Sequence, residues 1–88
     1  MADPQAGQRK RLLFQSTRRG TKESDLILGG FAQAHLAGMD SGQLGRYSAL
    51  LEQNDPDLLG WVIGTRTPPA DHDNDVLALL IEFKNSLS

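Results

Sequence analysis

The chain has 88 residues, no cysteine, and a formal net charge of −2. That length holds one small domain and no second core, and without cysteine there are no disulfide staples, thiolate metal sites or cysteine nucleophile. No apolar run approaches the roughly 18 residues of a membrane span, and Met1 to Gly7 has no apolar h-region, so the expectation is a cytoplasmic protein with no direct membrane insertion.

The charge is unevenly placed. Residues 1–22 carry six cations against Asp3, a net +5, whereas residues 23–88 carry three cations against ten carboxylates, a net −7. A basic head on an acidic body suits an anionic partner. It suits internal complementarity equally well, and the sequence does not choose between them.

In chain order, residues 1–7 read as a disordered start, with a single helical domain over residues 8–88. A first helix is expected from Gln8 to Arg19, with Arg18 and Arg19 at the negative end of its dipole and Gly20 as a left-handed stop. Thr21 is the expected N-cap of a second helix, placing Glu23 in its first turn. Ile27, Phe31 and Ala34 form one apolar line, widened by Leu28 and Leu36. Gly29-Gly30 inside that helix costs roughly 1 kcal/mol per glycine relative to alanine, which implies either close approach of another helix or a kink.

Asp40 and Gln43 have capping-box spacing at the start of a third helix, whose core line is Leu44, Tyr47 and Leu51 with Leu50 beside it. Asp55-Pro56-Asp57 predicts the start of a fourth, with Asp55 as N-cap and proline at the first helical position. That short helix is apolar nearly all round, which predicts burial and a core role for Trp61. After Gly64, Thr65 to Ala70 reads as an extended loop. A last helix from Asp71 or Asp73 to about Asn85 has its apolar line at Val76, Leu79, Leu80, Phe83 and Leu87. The fold class is therefore all-α, a small compact bundle of about five short helices.

Catalytic chemistry is poorly represented. The serines have no G-x-S-x-G setting, and there is neither a P-loop nor G-x-G-x-x-G. Glu23 and Asp25, two apart, diverge on a helix and cannot share a proton. His35 and His72 lack metal-ligand spacing, and the aspartates around His72 read as caps. The chain is thus expected to be no enzyme and to hold no metal. Two bland functions remain open at this point: a small nucleic-acid-binding domain using Arg9, Lys10 and Arg11, and a generic protein-interaction module. An isoelectric point of about 5.5 weighs against nucleic acid as partner.

The residues Arg19-Gly20-x-x-Glu23-x-Asp25 resemble the R-G-x-x-E signature of the succinate dehydrogenase assembly factor 2 family, small proteins that assist covalent FAD attachment. Phe31, Leu50-Leu51-Glu52, Asp55-Pro56-Asp57-Leu58 and Trp61 extend the resemblance from about Arg9 to Asn85. It implies a five-helix bundle with the signature on its surface. The partner it implies is the flavoprotein subunit of succinate dehydrogenase, or in some bacteria of fumarate reductase. Arg18, Arg19, Gly20, Glu23 and Asp25 would then be partner-binding, with Arg19 offering its fork to a partner carboxylate or carbonyl. With no glycine-rich nucleotide fingerprint in the sequence, no independent FAD site is expected, and FAD would be held by the partner. The N-terminus lacks the Arg-rich, Ser-rich, acid-poor extension of a mitochondrial precursor, so the expected place is the bacterial cytoplasm, or the mitochondrial matrix for a eukaryotic mature form.

Overall fold

The computed structural model describes residues 4–87 and contains five α-helices and no strand among them. They are α1 (Ala6–Ser16), α2 (Lys22–His35), α3 (Ser41–Leu51), α4 (Asp55–Ile63) and α5 (Asp75–Ser86), with a short 3-10 turn, Leu36–Gly38, following α2. None of these helices is long and apolar enough to cross a membrane. The α1 helix packs against α2 and α3, and α5 packs against α2, α3 and α4.

Local capping accounts for most of the boundaries. Thr21 Oγ1 accepts from Ser24 N at 3.2 Å, and Asp40 and Gln43 exchange both bonds of a capping box. Gly64, at φ +89, ends α4 in the left-handed conformation.

Other boundaries differ from expectation. The first helix starts at Ala6, inside the stretch read as disordered, while residues 1–3 lie outside the described residues. It ends at Ser16 instead of Arg19, because Ser16 Oγ donates to Leu12 O and Thr17 Oγ1 to Phe14 O, hydroxyl bonds that favour termination. Arg18 and Arg19 therefore belong to the connection. The N-cap of α4 is Asn54, whose side chain accepts from Asp57 N, and Asp55 becomes the first helical residue. The N-cap of α5 is Asn74, not Asp71 or Asp73. Arg46 pairs with Asp75 at 2.7 Å, and this guanidinium, helped by Gln43, holds that carboxyl below its usual range.

The core is one cluster drawn from all five helices, centred on Phe31 and Tyr47. The apolar line of α3 is buried as expected. On α2, Ala34 is exposed and Ala32 takes the buried place, because α1 and α5 cover the Ile27–Phe31–Ala32 side. The last helix turns Leu77 inward and leaves Leu87 48% exposed, and Ile63 at the end of α4 is also 48% exposed. Trp61 is 8% exposed and stacks on His72, with ring centroids 5.4 Å apart.

The glycine pair of α2 is explained by close packing. A Cβ on Gly29 would stand 3.2 Å from Thr17 Cγ2, and one on Gly30 would stand 3.0 Å from Phe83 Cζ. The glycines let the end of α1 and the ring from α5 approach the backbone of α2 from two sides.

Tyr47, the single tyrosine, puts its hydroxyl 2.6 Å from buried Ser16 Oγ, joining α3 to the end of α1. Burial pushes this phenol up to about 12, with Ser16 and Arg19 opposing. The unfolded chain releases the same proton near pH 10, so the native state holds more protons between 10 and 12 and stability falls as pH rises through that window. The expected loss is about 2–3 kcal/mol. Tyr47→Phe should flatten this part of the profile while costing about 1 kcal/mol at neutral pH. Urea unfolding of both proteins at neutral pH and at several alkaline values measures it.

Candidate functional site

The connection between α1 and α2 carries the signature, and its geometry starts from Arg19. Its Nε donates to Asp55 Oδ1 at 2.8 Å, Nη2 donates to Gln53 O at 2.9 Å, and Nη1 donates to Leu51 O at 2.5 Å. Nη2 also lies 2.7 Å from Asp55 Oδ1, and the two side chains are 11% and 20% exposed. The peptide N–H of Arg19 donates to Asp25 Oδ1 at 2.8 Å. The carbonyls of the last turn of α3 and of the turn after it, which have no helical partners, thus find one in Arg19. Its fork is occupied by this chain's own atoms, whereas the sequence reading offered it to a partner. Asp25 holds the corner from the other side.

The neighbouring signature residues face outward. Gly20 is exposed at φ +100, with open space around its missing side chain. Glu23 is exposed and joins no ion pair among the described residues. The Arg18 guanidinium sits 4.6 Å from the centroid of the Phe14 ring, and Phe14 is 57% exposed. Phe14, Arg18 and Arg19 line an open cleft of about 510 Å³ together with Glu52, Asn54 and Asp55. The structure therefore separates the five predicted site residues into two that hold the corner, Arg19 and Asp25, and three that it presents, Arg18, Gly20 and Glu23.

Sequence reasoning missed two members of this region. Asp55 read only as a helix cap, because its pairing with Arg19 spans 36 positions. Phe14 carries no site role in the sequence reading, although its spacing of four from Arg18 puts the two on one line of a helix and is the cue to their stacking. Of the remaining cations in the basic head, Arg9 turns inward and donates to Leu36 O at 2.9 Å and Met39 O at 2.5 Å. Internal pairing thus takes up part of the head. Among the described residues no group of three or more His, Cys, Asp or Glu converges as a metal site.

The fold and this corner define a small all-α domain that presents charged groups on a braced turn. A family profile described as "Flavinator of succinate dehydrogenase" matches residues 10–84, and the chain belongs to that family. It is 41% identical over 80 residues to succinate dehydrogenase assembly factor 2, mitochondrial, of Aedes aegypti, covering 89% of this chain and 50% of that one. The Dictyostelium discoideum protein of the same name is 40% identical over 72 residues, or 82% of this chain and 51% of that one. The Culex quinquefasciatus protein is 35% identical over 82 residues, with coverage of 91% and 52%. The chain spans about half the length of the curated relatives it matches. Their names place those relatives in mitochondria, so they lend no support to the expected bacterial cytoplasm.

The Arg19–Asp55 pair is expected to contribute to stability as well as shape. Asp55→Ala leaves a largely enclosed guanidinium without its counter-ion, which should cost about 2–3 kcal/mol. Arg19→Ala should cost a similar amount. The double variant should lose less than the sum of the two, with a coupling of about 1–2 kcal/mol. Urea denaturation of all four proteins completes the cycle.

Proposed function

We propose that this chain is an assembly factor that binds the flavoprotein subunit of succinate dehydrogenase, or of fumarate reductase, and promotes covalent attachment of its FAD. Family membership supports this reading. The observation that carries it is the braced corner, where Arg19 and Asp25 are satisfied internally while Arg18, Gly20 and Glu23 stand outward.

In this reading the corner presses on the flavoprotein as a preformed surface. Gly20 allows the partner backbone to approach closely. Arg18, steadied on Phe14, and Glu23 supply one charge of each sign. The factor acts as a chaperone without chemistry of its own. It favours the flavoprotein conformation in which a histidine meets the isoalloxazine ring, so the rate gain comes from positioning. FAD stays with the partner. The compartment is the one in which the flavoprotein is assembled: the matrix in a mitochondrial system, the cytoplasm in a bacterium.

Covalent flavin survives denaturation and free flavin does not, so in-gel fluorescence of the flavoprotein reports the bond itself. Deleting the gene for this chain should abolish most of the signal, and the wild-type chain should restore it. Glu23→Ala and Gly20→Arg should restore less than about a tenth, a loss in the range of an interface hot spot. Full signal without the chain would refute the assignment. Full rescue by both variants would move the working surface away from this corner.

A further inference from the structure

Four large apolar side chains are markedly exposed among the described residues: Leu26 (66%), Phe14 (57%), Ile63 and Leu87 (48% each). Two of them, Leu26 and Leu87, line one cleft, and Phe14 lines another at the α1–α2 corner. Arg19 ties the α1–α2 corner to the turn after α3, and Phe14 stands beside it. Just after the corner in the chain, Glu23, Leu26 and Ile27 of α2 meet Lys84 and Leu87 at the end of α5, around a shallow cleft of about 220 Å³. Ile63 lies elsewhere, about 12 Å along the α4 axis from Asp55.

Leu26 is three positions from Glu23 and shares its face of the helix. Its neighbours Ile27 and Leu28 both enter the core, so the fold has no use for Leu26 as packing. The carboxylate of Glu23, without an ion-pair partner among the described residues, stands on the rim of the same patch. Lys84, likewise without an ion-pair partner among the described residues, lines the same cleft, so the apolar floor is flanked by one charge of each sign and fits an apolar side chain with a cation and a carboxylate beside it.

We infer that the Leu26–Leu87 patch is a second docking surface for the flavoprotein, continuous with the signature corner through Glu23. It receives an apolar side chain of the flavoprotein whose neighbouring lysine or arginine pairs with Glu23 and whose neighbouring carboxylate pairs with Lys84. The inference rests on the proposed function and adds to it a surface outside the signature. The partner then engages both the signature corner and the first turns of α2. Burial of one leucine-sized side chain is worth roughly tenfold in affinity.

The test titrates the purified flavoprotein subunit with the wild-type chain and with Leu26→Gln, Leu87→Gln and Ile63→Gln variants. All three positions are exposed, and thermal melts check that each variant keeps its fold. The inference expects Leu26→Gln and Leu87→Gln each to weaken binding about tenfold and Ile63→Gln to leave it unchanged. Wild-type affinity in both Leu26→Gln and Leu87→Gln would overturn the inference while leaving the proposed function standing. Equal weakening by Ile63→Gln would overturn it as well, because the effect would then not be local. If the wild-type chain itself fails to bind, the proposed function falls and the inference with it. Should Leu26→Gln instead convert a self-associated chain to monomer without changing flavoprotein affinity, the patch belongs to a second copy and the inference is wrong.

Discussion

The guanidinium of Arg19 joins three parts of the chain that meet nowhere else in the same way. It bonds the Asp55 carboxylate and the carbonyls of Leu51 and Gln53, while its own peptide N–H is held by Asp25. The corner after α1, the end of α3 and the start of α4 are therefore one unit. Asp55 is at the positive end of α4, where a carboxylate is already favoured by the helix dipole, so the ion pair gains from both neighbours. A lysine could not replace this arginine, since a single ammonium cannot satisfy a carboxylate and two carbonyls in a planar fork.

The brace gives the exposed residues around it their character. The backbone of Gly20 is left-handed and open to solvent, yet the residue just before it is locked. Arg18 is held over Phe14 instead of sweeping through solvent. A surface of this kind loses little conformational entropy on binding. The same end of the molecule is held from within by the Ser16–Tyr47 hydroxyl pair and by the bare backbone of Gly29, against which Thr17 packs. Three independent contacts thus fix where α1 stops, and so where the signature begins.

Legibility in the sequence followed the range of the interaction. Thr21 and Asp40 with Gln43 are caps built from bonds three residues apart, and each is found where its spacing predicts. The errors have a common cause. Asp-Pro is a strong local signal for a cap at Asp55, but its carboxylate is engaged by Arg19 and Asn54 does the capping. Cations suit a helix C-terminus, which predicts Arg18 and Arg19 in the last turn of α1, but hydroxyl bonds from Ser16 and Thr17 end the helix first. In each case a plausible local rule lost to a competing bond.

The apolar spacing and caps in the sequence alone determined an all-α bundle of five short helices, and the signature with its helical context determined the family. Both are written in residues a few positions apart, where local geometry is common to any helix. Which signature residues turn inward and which outward was decided by the tertiary structure. Arg19 and Glu23 are both charged and four positions apart, and nothing in their spacing tells the buried clamp from the exposed carboxylate. That distinction depends on the end of α3 and the start of α4 arriving beside one of them, a contact across more than thirty positions that composition and periodicity do not encode.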